Sequence, residues 1–361
     1  MKICLLAGAS TIHTVRWVNA MAQLEHDVHL ITMHPSKMDQ IDSAVHVYKL
    51  KVPAPIGYYT NVLELKLLLG RVQPDLLHVH YASGYGTLAR LVHFKPTLLS
   101  VWGSDVYLFP NKNKRNKMIL KNNLASMTHI TATGHALKKQ TECFHTPAVP
   151  IDIVPFGIDM NLFKKLGEIP HEDIVIGTVK RMKPIYGIDL LLKAASRVVE
   201  KLKMAGRGEI ADRIKLLIVG EGEQLGELKQ LADQLGIKER TAFVGAIPNN
   251  EVPKYINQMD IYCAFSRSES FGVAVLEASA CEVPVVVSNV GGLPEVVQDG
   301  VTGYICNLDD LGKMADKLYE LVMDEGKRAE FGRNGRKFVR NHYEWQQNVA
   351  EMEKIYKKIV Q

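Results

Sequence analysis

The sequence predicts an α/β protein made of two doubly wound parallel sheets, one in each of two domains. Apolar runs of strand length alternate with helical patterns, and this alternation stops and then begins again in the second half of the chain. Each series predicts one open sheet with helices on both faces. The length of 361 residues also exceeds what a single hydrophobic core usually supports.

The first series of strands occupies the N-terminal half. Short, continuous apolar runs are typical of strands that are buried on both faces of a parallel sheet. We predict strands at residues 3–7, 28–32, 76–79, 97–101 and 129–132, and helices at 13–24 and 134–143. These elements define a first domain over residues 1–160.

The second series begins at residue 174 and has the same alternation. We predict strands at residues 174–179, 214–219, 241–244, 260–265 and 284–288, and helices at 190–203, 224–235 and 273–280. A second domain is therefore expected over residues 161–340, followed by a last helical pattern at 343–359 within residues 341–361.

Composition indicates a globular protein of the cytoplasm. Charged residues make up 23% and hydrophobic residues 47% of the chain, which is ordinary for a soluble enzyme. The five cysteines are scattered and form no C-x-x-C pair, as expected in a reducing compartment. The first nine residues are too short for a signal peptide, and no apolar stretch approaches the roughly 20 residues of a membrane span.

Charge is divided unevenly along the chain. Residues 1–168 carry 18 lysines and arginines against 11 acidic residues, a net charge of +7, whereas the remainder carries 26 against 28, or −2. The excess is concentrated in a basic segment that is interleaved with Met118, Ile119 and Leu120; its charges are Lys112, Lys114, Arg115, Lys117 and Lys121. This segment is either an anionic-membrane contact or a solvated helix face. Without an aromatic platform or a nucleic-acid module, nucleic acid is not an expected partner.

Two glutamates, Glu269 and Glu277, carry the most information about function. A polar, glycine-containing loop ends at Gly272 and a helix then begins, so Glu269 precedes the helix N-terminus and Glu277 lies one turn inside it. Helix N-termini bind phosphate through their first amides, here those of Phe271, Gly272 and Val273. A sugar diphosphate would meet these amides together with one carboxylate for the sugar and one for the ribose.

Glu269 and Glu277 are separated by seven residues that include Phe271-Gly272, and the loop and helix that carry them lie between two predicted strands. This Glu-x7-Glu pattern resembles family 4 of the retaining glycosyltransferases. This resemblance covers nearly the whole chain. It implies the GT-B fold, in which two Rossmann-like domains face a central cleft and a C-terminal helix crosses back to the N-terminal domain. It also implies a nucleotide-sugar donor, and the sequence resembles a bacterial surface-glycan branch of the family.

A second motif, at residues 179–189, follows the first strand of the C-terminal domain. By the resemblance, Arg181 and Lys180 contact the donor diphosphate, with Lys183 as the alternative second cation. The family usually has a lysine at the position of Tyr186, so this chain departs from the pattern there. A diphosphate leaving group must be neutralised by metal or by protein cations and dipoles, and no Asp-x-Asp occurs in the sequence. We therefore expect no metal and no cofactor.

Two glycine-containing turns follow predicted strands. Gly220-Glu221-Gly222 resembles the family's turn near the nucleotide base, and Gly8 with Ser10 resembles the loop that faces the donor phosphate. On the acceptor side, the resemblance points to residues at strand or helix ends, namely His13, His80, Trp102 and Asp105. Asp105 either accepts a hydrogen bond from the attacking hydroxyl or caps its loop, and the histidines are either catalytic or structural.

The expected activity is transfer of a sugar from a nucleoside diphosphate to a hydroxyl of a glycan or lipid-linked glycan, with retention of configuration. A UDP-sugar is favoured over a GDP-sugar as the donor. Such an enzyme would act in the cytoplasm, in solution or on the inner face of the cell membrane. The alternatives are a GT-B nucleotide-sugar epimerase and a non-catalytic nucleotide-sugar-binding protein.

Overall fold

The computed structural model describes residues 1–35, 38–167 and 172–361. The chain divides into two compact units: Met1–Phe156 together with Gln346–Gln361, and Gly157–Trp345. Each unit is built around one parallel sheet with helices on both sides. Among the described helices, none is long and apolar enough to cross a membrane.

The first unit contains a sheet in which seven described strands are all parallel. The strands are β1 Lys2–Leu6, β2 Asp27–Thr32, β3 His46–Lys49, β4 Leu76–His80, β5 Thr97–Val101, β6 His129–Ala132 and β7 Asp152–Ile153. The helices are α1 Ile12–Gln23, α2 Gly57–Thr60, α3 Val62–Val72, α4 Gly84–Val92, α5 Ser104–Tyr107, α6 Lys114–Ala125 and α7 His135–Glu142. Across the sheet the order is β3, β2, β1, β4, β5, β6, β7.

The second unit contains a sheet of six described parallel strands. The strands are β8 Ile174–Val179, β9 Ile214–Val219, β10 Thr241–Gly245, β11 Ile261–Ala264, β12 Val285–Ser288 and β13 Gly303–Cys306. The helices are α8 Ile188–Met204, α9 Gly208–Arg213, α10 Leu225–Gln234, α11 Val252–Ile256, α12 Val273–Ala280, α13 Leu311–Met323 and α14 Glu325–His342. Across the sheet the order is β10, β9, β8, β11, β12, β13.

The predicted α/β architecture is confirmed, but three strands lack a recognisable sequence pattern. Strands β3 and β7 lie at the two edges of the first sheet and are only partly buried, and β13 ends the second sheet. Partly buried edge strands such as β3 and β7 do not need the continuous apolar run that reveals a central strand. Strand β13 is buried at three of its four residues but begins with Gly303, a residue type that is depleted in strands. Strand β4, by contrast, is buried at every residue.

The last helix, α15, spans Trp345–Val360, and most of it belongs to the first unit. Its buried face includes Met352, Ile355 and Tyr356, which follow helical spacing. The Tyr356 hydroxyl lies 2.6 Å from Nδ1 of His78 in β4. A buried hydrogen bond at this distance fixes the helix against the centre of the first sheet.

Each sheet has one point where the strand order reverses, between β1 and β4 in the first unit and between β8 and β11 in the second. At a reversal, the loops that leave two neighbouring strands depart in opposite directions and open a crevice. Ligands of open α/β sheets bind in this crevice, beyond the carboxyl ends of the strands. The segments after β1, β4, β8 and β11 are therefore the first places to look for a site.

Candidate active site

Lys180 and Glu269 meet at the reversal point of the second sheet. Lys180 follows β8 directly, and Glu269 lies in the loop between β11 and α12. Lys180 Nζ is 2.5 Å from Glu269 Oε2, and the two side chains are 11% and 13% exposed. Ser266 donates a second hydrogen bond of 3.2 Å to the same carboxylate oxygen. The two residues that the sequence assigned to phosphate and sugar are thus one ion pair, and it is mostly shielded from solvent.

The charge of Lys180 is maintained by its partner. Burial alone would lower the pKa of Lys180, but the charge of Glu269 and the hydrogen bond between them outweigh it and hold that pKa above its ordinary value. The ammonium also lies 5.1 Å from the centre of the Tyr186 ring. Tyr186 occupies the position where the family pattern has a lysine, and it makes a cation–π contact with Lys180.

A second ion pair, which the sequence did not indicate, joins the loops of Lys180 and Glu269. Arg267 donates to both carboxylate oxygens of Asp189, at 2.8 Å each, and its backbone amide donates to the carbonyl of Ile185 at 2.7 Å. The pair raises the pKa of Arg267 and, against the effect of burial, lowers that of Asp189. Bidentate pairing of this kind fixes the separation of two loops.

The carbonyl of Glu269 is held by two consecutive glycines. The amide of Gly292 donates to it at 3.0 Å. Gly291 has a φ of +52°, and a Cβ at this position would collide with the same carbonyl oxygen. Only a glycine adopts this backbone conformation while approaching so closely, so the Gly291-Gly292 motif shapes the Glu269 loop.

Helix α12 opens at Gly272, whose φ of +111° turns the chain from the loop into the helix. Phe271 is buried and packs edge-on against Tyr343, with ring centres 5.7 Å apart. Glu277 lies one turn after Val273 and is partly exposed. The first amides of a helix lack intrahelical acceptors, so this end presents hydrogen-bond donors beside the Glu269 loop.

The remaining donor-side candidates lie next to Lys180 in the chain or in space. Arg181 and Lys183 are exposed. The Gly220-Glu221-Gly222 turn packs on the same segment, because the amide of Met182 donates to the carbonyl of Glu221 at 2.8 Å. A Cβ on Gly220, at a φ of +135°, would collide with the carbonyl of Lys180. The turn after β9 and the cation after β8 therefore form one continuous surface.

A pocket of about 230 Å³ marks the reversal point of the first sheet. Its walls come from the segments after β1, β2 and β4 and from α2 and α4: Gly8, Ser10, Thr11, His34, Tyr58, Tyr81, Ser83, Gly84 and Tyr85. Gly8 and Ser10 were predicted from the sequence, whereas the tyrosines were missed. Tyr81 and Tyr85 follow β4 at a spacing of four, which was the available signal.

Hydrogen bonds hold the aromatic wall of this pocket. The Tyr85 hydroxyl lies 2.7 Å from His34 Nδ1 and accepts from the amide of Met33 at 3.0 Å. Tyr81 has a φ of +72°, an unusual value for a bulky side chain. Strained backbone of this kind occurs preferentially at ligand sites. Tyr58 and Tyr81 are partly exposed, whereas Tyr85 is buried, so the rings of the first two are the ones open to a ligand.

His13, His80 and Trp102 form an aromatic cluster next to the pocket segments. His13 stacks on Phe156 with ring centres 4.1 Å apart, and His80 lies 4.2 Å from Trp102. Burial, reinforced by the charge of Arg16, lowers the pKa of His13 to about 4. Burial lowers the pKa of His80 well below its usual range. Both imidazoles are therefore neutral near pH 7.

Asp105 is buried, and backbone amides of its own loop and of the segment after β4 engage its carboxylate. Its two oxygens accept hydrogen bonds from the amides of Ala82 at 2.8 Å, Gly103 at 2.8 Å and Trp102 at 3.3 Å. Burial raises its pKa, although these hydrogen bonds oppose the change. Of the two roles considered from the sequence, the contacts are those of a loop cap. A catalytic role for Asp105 stays a prediction.

His78 has a structural environment. Its Nδ1 contacts the Tyr356 hydroxyl, and its Nε2 lies 2.7 Å from Ser100 Oγ. Burial lowers its pKa to about 3, so the ring is neutral. Both ring nitrogens of His78 are therefore occupied by contacts with hydroxyl groups inside the fold. His78 differs in this respect from the neighbouring His80.

The basic segment forms the exposed face of α6 and the turn before it. Lys112, Lys114, Arg115, Lys117 and Lys121 are all exposed. Of the apolar residues between them, Met118 is exposed, whereas Leu120 belongs to the core. Helical spacing turns Leu120 inward, so only part of the expected apolar surface accompanies these charges.

Two doubly wound units, with a cation–carboxylate pair at the reversal point of one of them, are what the resemblance to GT-B glycosyltransferases led us to expect. The family model for glycosyl transferases group 1 matches residues 159–338, and the glycosyl transferase 4-like model matches residues 2–134. The chain belongs to the family 4 GT-B glycosyltransferases and is an enzyme of that class.

Similar proteins extend over the whole chain. N-acetyl-alpha-D-glucosaminyl L-malate synthase of Bacillus anthracis is 26% identical over 97% of this chain and 93% of its own length. Sucrose-phosphate synthase of Thermosynechococcus elongatus superposes with a TM-score of 0.84 at 19% identity, covering 99% of this chain and 98% of its own. HepE of Anabaena, solved with UDP and glucose, superposes with a TM-score of 0.82 at 17% identity, covering 99% of this chain and 100% of its own. The two structures share the fold.

Proposed function

We propose that the protein transfers a sugar from a nucleoside diphosphate to an acceptor hydroxyl and retains the anomeric configuration. The observation that carries the proposal is the partly buried Lys180–Glu269 pair at the reversal point of the second sheet. It supplies a fixed cation beside a fixed carboxylate where α/β sheets bind ligands. A sugar diphosphate requires these two charges, one for the phosphates and one for the sugar hydroxyls.

The donor is held by groups that carry complementary charge. Lys180 and Arg181, together with the first amides of α12, neutralise the diphosphate. Glu269 accepts hydrogen bonds from the sugar, and Glu277 accepts them from the ribose. Because these cations and amides supply the neutralisation, the transfer needs no metal ion. The leaving phosphate assists attack on the same face of the sugar, which accounts for retention.

A UDP-sugar is the favoured donor. The structurally similar HepE was solved with UDP and glucose, which supports a uridine nucleotide. The base would lie near the Gly220-Glu221-Gly222 turn, which packs against the Lys180 segment. Lys183 is the alternative second cation, since it is exposed in the same segment.

We propose a glycan or lipid-linked glycan as the acceptor. The pocket lined by Tyr58, Tyr81 and Tyr85 supplies ring faces against which a sugar can pack, and His13, His80 and Trp102 are the further acceptor-side candidates. A lipid-linked acceptor is supported by the exposed charges of α6. It is also supported by an apolar stripe on α3, where Leu63 and Leu67 are 69% and 66% exposed. Helices α3 and α6 both pack on α4.

Acceptor-dependent release of nucleotide tests the proposal. The purified protein is incubated with UDP-, GDP- and ADP-sugars, with and without a mixture of glycan acceptors, and the freed nucleoside diphosphate is measured. Release that requires acceptor supports a transferase. A proton NMR spectrum of the product then reports whether the anomeric configuration is retained.

The same assay distinguishes the alternatives. A nucleotide-sugar epimerase would convert the donor without acceptor, and a non-catalytic binding protein would release no nucleotide under any condition. The Lys180→Met variant serves as the negative control for chemistry. If it releases nucleotide as fast as the unmodified protein, the Lys180–Glu269 pair is not the donor site.

A further inference from the structure

Asp27, His29 and His46 form a group of metal-type ligands away from the candidate active site. Their ligand atoms all lie within 4.8 Å of one another. Asp27 and His46 begin strands β2 and β3, so the group lies at the amino-terminal edge of the first sheet. The pocket lined by Gly8 and Ser10 lies beyond the carboxyl ends of the strands. The two sites therefore occupy opposite edges of the sheet.

The register of the two strands produces this arrangement. His29 and His46 are paired residues of the parallel β2–β3 ladder, so their side chains leave the sheet on the same face. The two imidazole rings stack with centres 4.8 Å apart and an interplanar angle of 25°. Asp27 lies two residues before His29 on β2, which places its side chain on that face as well.

The ligand atoms converge on Asp27. Its Oδ1 is 2.9 Å from His29 Nε2 and 3.7 Å from His46 Nε2. Ligands of a tetrahedral zinc ion lie about 3.3 Å from one another, given metal–ligand bonds of about 2.0–2.2 Å. The other oxygen, Oδ2, faces Lys2 Nζ at 4.0 Å, so Oδ1 is the oxygen available to the histidines.

His29 is already oriented for coordination. Its Nδ1 lies 3.3 Å from the hydroxyl of Tyr48, which stacks beside it on β3. Its Nε2 is buried and has no hydrogen bond of acceptable geometry among the described residues. A metal-binding histidine typically uses one ring nitrogen for a hydrogen bond that orients the ring and the other for the ion. The contact with Tyr48 therefore orients the His29 ring, and Nε2 faces Asp27 Oδ1, where a metal would bind.

We propose that Asp27, His29 and His46 bind a divalent transition metal, for which Zn²⁺ is the best match. Imidazole and carboxylate ligands suit zinc, and three protein ligands leave one position for water. The ion would join β2 to β3, an edge strand of four residues. Its role would be to fasten this edge rather than to take part in sugar transfer, so the inference does not depend on the proposed function.

Zinc binding to the full chain tests the proposal directly. Every protein carries Cys143→Ser, because Cys143 is the exposed member of the five cysteines and would bind zinc by itself. Metal-free protein is titrated with zinc chloride against a chromophoric chelator, and its melting temperature is recorded with and without zinc. We expect one zinc per chain and a higher melting temperature with zinc.

Three variants and one control locate the site. His46→Ala and Asp27→Asn each remove a ligand, and their zinc affinity should decrease by more than about tenfold, while Tyr48→Phe should lose about tenfold. His145→Ala removes an imidazole outside the group and should bind zinc as before. Melting temperatures of the metal-free variants show that each one is folded, and the two ligand variants act as independent checks.

The proposal is overturned if the Cys143→Ser protein binds no zinc. It is equally overturned if His46→Ala and Asp27→Asn retain its affinity, or if His145→Ala loses the zinc. A zinc-dependent rise in melting temperature that survives in both ligand variants would also reject the site.

Discussion

Lys180 Nζ and Glu269 Oε2 are 2.5 Å apart although the residues are 89 positions apart in the sequence. The pair joins the end of β8 to the loop after β11, the two strands at which the sheet order reverses. Each residue neutralises the other in a partly buried place, so removal of one partner leaves the other poorly compensated. A donor diphosphate and its sugar would meet a preformed cation and a preformed carboxylate.

The energetic coupling of this pair is measurable by a double-mutant cycle. Lys180→Met or Glu269→Met leaves one buried charge without its partner and should lower the free energy of unfolding by about 3 kcal/mol. The double variant removes both charges and should recover part of that loss, with a coupling of about 1–3 kcal/mol. Urea unfolding at pH 7 measures the loss of unfolding free energy in each single variant and in the double variant. Additive losses would show that the pair is not coupled in the folded protein.

Turnover should survive a chelator. In the proposed mechanism, Lys180, Arg181 and the first amides of α12 neutralise the diphosphate in place of a metal ion. Arg181→Ala should lower turnover by about two orders of magnitude, the size of one lost preorganised charge stabiliser. Lys203→Ala, an exposed cation of α8, is the control. Activity that EDTA abolishes and magnesium restores would contradict the metal-independent mechanism.

The two glutamates should have separable roles. If Glu277 binds the ribose, Glu277→Ala weakens both the donor and free nucleoside diphosphate. If Glu269 binds the sugar, Glu269→Gln reduces transfer while the affinity for nucleoside diphosphate stays close to that of the unmodified protein. Isothermal titration with donor and with nucleoside diphosphate distinguishes these outcomes. Equal losses of nucleoside diphosphate binding in both variants would rule out the assignment.

Vesicle binding should depend on α6 and on anionic lipid. Each basic residue near an anionic surface contributes on the order of 1 kcal/mol, and salt screens the attraction. Sedimentation with phosphatidylserine vesicles should therefore decrease as salt rises, and it should be lost when Lys114, Arg115 and Lys117 are changed to glutamate.

The control for that experiment is the same change of charge in the second unit. Lys203, Lys229 and Lys254 are exposed there, and changing them to glutamate should leave sedimentation almost unaffected. A further variant, Leu63→Ser with Leu67→Ser, reports whether the apolar stripe of α3 contributes. If the unmodified protein stays in the supernatant at low salt, a soluble acceptor is the better hypothesis.

Stability should fall below neutral pH because of His78. Burial lowers its pKa to about 3 in the folded protein, whereas the unfolded chain has the ordinary value of 6.5. Between these values the unfolded state binds the proton and the folded state does not, so stability increases with pH and levels off above 6.5. The contribution is about 1.4 kcal/mol per pH unit within that window.

The comparison of His78→Gln with the unmodified protein isolates this contribution. Urea unfolding is measured at several pH values from 7.5 to 5. Below pH 6.5, the free energy of unfolding of His78→Gln should change less steeply with pH than that of the unmodified protein, by about 1.4 kcal/mol per pH unit. Identical slopes for the two proteins would show that His78 has the same pKa in the folded and the unfolded chain.

The sequence by itself determined the class of fold. Central strands are buried by helices on both faces, so they favour continuous apolar runs such as the one in β1, and those runs are visible in a single sequence. Edge strands β3 and β7 are shorter and partly exposed, and nothing in their composition distinguishes them from loops. The loop–helix pattern from Glu269 to Glu277 was likewise predictable, because a glycine before a breaker-free segment is a local signal.

Only the tertiary structure decided which groups meet. Lys180 and Glu269 were separate candidates in the sequence, and the parallel order of β8 and β11 made them a pair. The Arg267–Asp189 pair, the tyrosine wall and the convergence of Asp27, His29 and His46 arise in the same way. Sequence patterns report the burial and backbone preferences of neighbours in the chain. Contacts between residues distant in the chain depend on strand order and register, which no local pattern encodes.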